Sequence, residues 1–228
     1  MSLLLHIESA TTQCSVALSQ NGELLAAKQI DNGYTHAENL HVFIQDLFTE
    51  TGLKAQDLKA VAVSRGPGSY TGLRIGVSAA KGLAYALHIP LIAIDTLALM
   101  ALQAKETGFT NGSLCAMLDA RRMEVYCAIY DQHLQPLRAT EALVLNEESV
   151  EPFSAYGPMT FFGNGMPKCR DLLSRLPGSV FIEHIQPSAA HMCQLAYEKY
   201  TRQAFEDTAY FEPFYLKDFL ILKKAGAP

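Results

Sequence analysis

Residues 64–87 read SRGPGSYTGLRIGVSAAKGLAYAL, opening like a phosphate loop and continuing like a helix. Gly72, Gly76 and Gly82 fall inside the helical part, where each glycine costs about 1 kcal/mol relative to alanine. Some close approach must offset that cost, by a ligand or by another helix. GxxxxGK[ST] does not occur, which excludes a P-loop. Gly66-x-Gly68-x-x-x-Gly72 follows a strand and Asp95 ends the next one, close to a dinucleotide fingerprint with its ribose-binding acid. The spacing misses G-x-G-x-x-G by one residue, and the unit follows a hairpin and a helix. Dinucleotide binding is therefore a secondary reading.

The helix favours the other explanation. At roughly 100° per residue, Arg74, Ser78, Lys81 and Tyr85 share one polar stripe, and the remaining positions are small or apolar. They cover an arc of roughly 220°, where a helix packed on one sheet needs little more than ~100°. Gly72, Gly76, Ala80 and Ala84 are small at every fourth position, and Ala79, Gly82 and Ala86 add to the small surface. The pattern predicts close contact with a second helix, either this chain's own helix 36–51 or one from another chain.

The preceding segments read as strands: LLLHI, CSVALS and, after the Asn21-Gly22 hairpin signal, ELLAAKQI. Thr35-His-Ala-Glu38 predicts a capping box for the helix that Gly52 ends. AVAVS (60–64) leads into the glycine segment and LIAID (91–95) follows it. The order then restarts. With an ungapped shift of 111 residues, Glu8 falls on Asp119 and Val16-Ala17-Leu18 on Cys127-Ala128-Ile129. Strands at 160–163 and 179–183 and helices from about 167 and over 189–200 complete a second copy. The repeat predicts an α/β fold of duplicated actin-like (Hsp70-like, sugar-kinase-like) type with two lobes, each a mixed sheet with flanking helices. The division expected is 1–110 and 111–228, with the last helix and tail packing back on the first lobe.

Composition excludes other classes. A net charge of −5 and a pI near 5.8 argue against unaided tight binding of nucleic acid. Five scattered cysteines without a CxxC suit buried thiols in a reducing, cytoplasmic setting. No apolar run reaches the ~20 residues of a membrane span. The turn Glu8-Ser-Ala-Thr-Thr-Gln13 offers Ser9, Thr11 and Thr12 to a phosphate, with Asp119 in the second copy. Ser9 and Ala10 stand where a working site wants Asp then Gly, so weak or vestigial nucleotide binding is the expectation. FFGNG (161–165) is either a remnant adenosine loop or a plain turn. His36 and His41 are five apart and diverge on a helix, so they do not make a zinc pair.

SRGPGSYTGLRIGVSAAKGLAYALHIPLIAIDTLALMA, CAMLDARRMEVYCAIYD, IESATTQCSVAL and Pro-Phe-Tyr-Leu-Lys (213–217) together strongly resemble the TsaB (YeaZ) family, which usually has Asp where Glu8 stands. The resemblance implies a non-catalytic subunit of the bacterial machinery that makes N6-threonylcarbamoyladenosine at tRNA position 37. It implies a TsaD-type catalytic paralogue as partner, a TsaE-type ATPase in the full complex, and a homodimer when alone. It also implies tRNA contact only through the complex, no membrane, and no catalytic, cofactor or metal residues. The metal-binding H-x-x-x-H of the catalytic paralogues falls here on Thr96 and Met100, neither of which supplies an imidazole. Pairing through first-lobe helices selects His36, Leu40, Phe43, Leu47, Gly72, Leu73, Gly76, Val77, Ala80 and Ala84 as the expected interface, with Ala84 nearer the partner and Gly76 nearer the core. The rival reading is a stand-alone ATP-binding enzyme using the interlobe cleft.

Overall fold

The computed structural model describes residues 1–32, 35–108 and 112–216. Among them, ten strands form two five-stranded mixed sheets. The first sheet contains β1 (Leu3–Glu8), β2 (Gln13–Gln20), β3 (Glu23–Asp31), β4 (Leu58–Gly66) and β5 (Leu91–Asp95), ordered β3-β2-β1-β4-β5. Its helices are α1 (His36–Thr51), α2 (Tyr70–Leu87) and α3 (Thr96–Glu106). The second sheet contains β6 (Ser113–Asp119), β7 (Glu124–Tyr130), β8 (Pro136–Val144), β9 (Met159–Phe162) and β10 (Val180–Ile182), with α4 (Glu147–Val150), α5 (Arg170–Leu173) and α6 (Cys193–Thr201). Read from β8 to β10 its order is β8-β7-β6-β9-β10, the same topology as the first. The chain is a duplicated two-lobe α/β fold. The lobe boundary expected at residue 110, and the tail from Lys217 onward, lie outside the described residues.

The repeat holds, but its register differs from the ungapped one. Leu3, Leu5 and Ile7 face the outer core with Cys14, Val16 and Leu18, whereas the outer face of the second hairpin is Cys115, Met117, Val125, Cys127 and Ile129. Ile7 pairs with Val16 and Met117 with Cys127, which leaves eight residues between the paired positions of the first hairpin and nine in the second. Glu8 therefore corresponds to Leu118, and Asp119 corresponds to Ser9. Side chains alternate faces along a strand, so a shift of one residue changes the face on which every side chain lies.

The lobes exchange their third helices. α3 follows β5 yet buries Leu97, Met100, Ala101 and Ala104 against Leu114, Ala116, Leu118, Ala128 and Phe162 of the second sheet. α6 and the turn before it follow β10 yet bury Met192 and Ala196 against Leu4, Ala60, Ala62, Ile92 and Ile94 of the first. α1 and α2 cover the opposite face of the first sheet through Leu40, Ile44, Leu47, Val77, Ala80 and Ala84. Each sheet is thus covered on both faces, which suits the near-continuous burial of β1 and β4.

Local signals were met unevenly. Asn21 and Gly22 take φ of 53° and 89° in the β2–β3 turn, the left-handed pair such a hairpin needs. The capping box at Thr35 does not form. Thr35 has φ −97° and ψ 19°, near-helical rather than extended, and its hydroxyl is buried without a partner. The Thr35 carbonyl instead accepts from the Asn39 side chain at 2.9 Å. No described helix is long and apolar enough to cross a membrane. All five cysteines are buried free thiols.

The glycines of the opening segment press on the β1–β2 turn. A β-carbon at Gly68 would be driven into the Ala10 carbonyl, one at Gly72 into the Ser9 carbonyl, and one at Gly76 into the Ser9 hydroxyl. Gly82 is exposed and would meet nothing within 4 Å. Gly76→Ala is therefore expected to lower stability by about 1–3 kcal/mol through overpacking, while Gly82→Ala raises it by up to about 1 kcal/mol through helix propensity. Urea unfolding of both variants checks this; equal effects of the same sign would refute the close-packing account.

Candidate functional site

The β1–β2 turn, whose hydroxyls the sequence offers to a phosphate, is packed against the start of α2. Ser9 is fully buried, with its carbonyl against Gly72. The Ser69 amide donates to the Ala10 carbonyl at 2.6 Å, fastening the start of α2 to the turn. Thr11 Oγ1 accepts from the Gln13 amide at 3.3 Å, and Thr12 Oγ1 donates to Asp31 at 2.9 Å. Asp119 lies on the other lobe, ion-paired with Lys168. The structure brings Ser9, Thr11 and Thr12 together on one turn, with Asp119 outside their set. The dinucleotide residues are engaged likewise: Gly68 and Gly72 meet this chain's own backbone, and Asp95 takes the Arg65 guanidinium at 2.7 Å.

The turn is held from within by Glu8, which the sequence gave no reason to regard as buried. Its side chain is wholly inside, with Oε1 accepting from the Ala10 amide at 2.6 Å. Oε2 has no hydrogen-bond partner in ideal geometry, nor has the hydroxyl of Ser64 beside it. Burial pushes the Glu8 carboxyl up from 4.5 to about 7, against the opposing pull of hydrogen bonds from Ala10, Ser64 and Ser9. A protonated Oε2 can donate to Ser64 and satisfy both atoms. His6, two residues earlier, is also buried; burial lowers it to about 3, and Nε2 lies 2.7 Å from Ser19 Oγ. Burial thus favours the neutral form of both groups, of His6 above about pH 3 and of Glu8 below about pH 7.

Thr96 and Met100, the positions on which the resemblance places a histidine pair, lie inside the protein. Thr96 is fully buried, its hydroxyl unpartnered, and Met100 is packed in the apolar cluster under the second sheet. A β-carbon at Gly163 would be driven into the Met100 methyl, which leaves no room beside the sulfur. Among the described residues no three of His, Cys, Asp or Glu are grouped to hold a metal.

The expected partner face needs correction. His36, Leu40, Leu47, Gly72, Leu73, Gly76, Val77, Ala80 and Ala84 are all buried in this chain's own core, and Phe43 is half-buried against it. Ala84 is 1% exposed, so the expectation that it lies toward a partner fails with the rest. The sheet side of α2 uses the smallest residues because the β1–β2 turn comes so close. The outward face of the helix pair is a different set. Ala37 and His41 of α1, with Arg74, Ile75, Ser78, Ala79, Gly82 and Leu83 of α2, line an open groove of about 600 Å³. Val42 and Tyr85, 51% and 77% exposed, lie on the same two helices.

A strap from the segment after α6 crosses α2. Lys81 Nζ donates to the carbonyls of Ala209 and Phe211, at 3.1 and 2.8 Å. The Phe214 amide donates to the Arg65 carbonyl at 2.7 Å, and Tyr215 packs on Tyr70.

Residues 32–221 match the family model described as TsaD: tRNA N6-adenosine threonylcarbamoyltransferase. The chain is 33% identical to the tRNA threonylcarbamoyladenosine biosynthesis protein TsaB of Escherichia coli K12, over 97% of each chain. Among solved structures, YeaZ from Pseudomonas aeruginosa superposes with a TM-score of 0.79 at 32% identity, covering 95% of this chain and all of that one. A putative N-acetylmannosamine kinase from Listeria monocytogenes, at 10% identity and a TM-score of 0.51, shares the fold alone.

The pH dependence of stability reports on Glu8. Below about pH 4.5 the carboxyl is protonated in both states, and from there to about 7 only the folded chain keeps the proton. The Glu8 contribution therefore falls as pH rises through that window, by up to about 3 kcal/mol, and is flat above it. His6, held at about 3 by burial, contributes the opposite slope up to about pH 6.5, because there only the unfolded chain takes up its proton. Glu8→Gln keeps an oxygen for the Ala10 amide and should leave the His6 slope alone, so that stability rises more steeply with pH between about 5 and 6.5 than in the wild type and no longer falls between about 6.5 and 7.5. Urea midpoints across that range measure it; an unaltered slope would show that Glu8 ionises freely.

Proposed function

Because this chain belongs to the TsaB (YeaZ) family, we propose that it takes part in tRNA threonylcarbamoyladenosine biosynthesis as a non-catalytic subunit that pairs with a TsaD-type catalytic paralogue. The observation that carries this reading is the apolar groove between α1 and α2, with Gly82 open at its centre. A helix pair of the same fold can lay its own small residues into such a groove. The paralogue is a natural occupant because the family model for the transferase matches this chain over 32–221. Without the paralogue, a second copy of this chain occupies the groove and gives a homodimer. A TsaE-type ATPase joins the pair in the full assembly, and tRNA is engaged by the assembly in the cytoplasm.

No catalytic step is assigned to this chain. The Thr12 hydroxyl donates to Asp31 of β3, the Thr11 oxygen accepts from the Gln13 amide, Ser9 is buried against Gly72 and Gly76, and Met100 is packed in the apolar cluster. The rival, an ATP-binding enzyme working from the cleft, requires a turn open to phosphate, which the close packing of Ser9 and Ala10 on the glycines opposes. Nucleotide titration of the isolated chain separates the two, and micromolar affinity for ATP would favour the enzyme.

The groove reading is tested by Gly82→Arg. Position 82 is open and arginine is the better helix former, so the variant should unfold no more easily than the wild type. It should fail to co-elute with the catalytic paralogue in size-exclusion chromatography, and be a monomer by light scattering when alone. Pairing retained at wild-type affinity would remove the groove from the interface.

A further inference from the structure

The turn between β6 and β7 carries Arg121 and Arg122 side by side, both exposed and both left-handed, with φ of 70° and 51°. Residues with a β-carbon are disfavoured there, and Asn-Gly is the usual occupant of such a pair. The backbone that carries the strain is clamped. The Arg121 amide donates to Asp119 Oδ1 at 2.9 Å, and the Asp119 amide donates to Asn164 Oδ1 at 2.9 Å. Lys168 Nζ donates to the Glu124 carbonyl at 2.7 Å and also pairs with Asp119, while the Met123 carbonyl accepts from the Leu145 amide at 2.8 Å. The Gly-Asn-Gly loop is the buttress: a β-carbon at Gly165 would run into the backbone of Leu118 and Asp119.

The adjacent acid is thereby occupied, and among the described residues neither guanidinium has a carboxylate within ion-pair distance. The tip presents two bare, adjacent guanidiniums on a rigid turn, in a chain whose net charge is −5. Guanidinium forks match phosphate oxygens in geometry and charge. The tip belongs to the second lobe, whereas the α1–α2 groove is on the first, so the two are separate surfaces.

We infer that Arg121 and Arg122 form a contact for the phosphodiester backbone of tRNA, made when this chain is assembled with its catalytic partner. The inference rests on the function proposed above and adds to it a direct role for this subunit in holding the RNA. Two phosphate contacts are too few to hold tRNA against the acidic remainder of the chain, so the isolated protein should bind it poorly.

The experiment uses the complex of this chain with the catalytic paralogue and an unmodified tRNA, with affinity measured by fluorescence anisotropy across a salt series. The test variant, Arg121→Asn with Arg122→Gly, places the favoured residue pair at the two left-handed positions. It should melt no lower than the wild type and assemble normally, yet bind tRNA several-fold more weakly. The slope of log K against log salt should become shallower by about 1–2, as expected for two lost phosphate contacts. Arg121→Lys with Arg122→Lys, which keeps the charge, should retain most of the slope. Unchanged affinity and slope in the Asn-Gly variant would overturn the inference. Loss of assembly with the paralogue would also overturn it, making the tip a protein contact. A wild-type complex that forms but does not bind tRNA would sink the inference alone; a wild-type pair that does not form would sink the pairing reading as well.

Discussion

Backbone contact between the Ser9–Ala10 turn and the row Gly68, Gly72 and Gly76 sets the geometry of the first lobe. It places α2 at a depth that no residue with a β-carbon could reach, and it fastens the helix start through the Ser69 amide and the Ala10 carbonyl. Glu8 braces the same turn from the other side through the Ala10 amide. The turn is thus gripped between a buried carboxyl and a glycine row. One contact therefore fixes both the depth of the helix and the packing of the turn against it.

The second constraint is the exchange of third helices between lobes. Leu97, Met100 and Ala101 belong to the first repeat in sequence and to the second lobe in packing, while Met192 and Ala196 do the reverse. Separating the lobes would expose both apolar faces to water at once, which opposes independent lobe opening. Met100 has a place in this packing that a metal-binding imidazole could not take without emptying the cluster. With the interior committed to packing, the surfaces left for function are outward: the α1–α2 groove on one lobe and the clamped arginine turn on the other.

Much of this was legible in the sequence because it depends on local periodicity. Alternation and turn residues gave the strands, and the restart after residue 110 gave the duplication. The small row along α2 announced a close approach, and Thr96 and Met100 announced the missing imidazoles. What misled was face. The ungapped repeat matched Glu8 to Asp119, although one is sealed in the sheet and the other is paired with Lys168 at the surface. The expected interface took in large and small helix residues alike, and these proved to be packed in the chain's own core, with Gly72 and Gly76 against its turn; Ala79, Gly82 and Leu83 line the outward groove instead.

The sequence by itself therefore determined the order of elements, the duplication, the family and the need for glycine somewhere against backbone. Those follow from period, turn chemistry and steric size, which act over a few residues. Which backbone the glycines meet, which sheet each third helix covers, and whether Glu8 is wet or buried were decided by the tertiary structure. A helix reads alike from either side in a list of residues. Only the neighbour that excludes water from one side, here a turn 60 or so residues earlier in the chain, determines which face is core and which remains open to a partner.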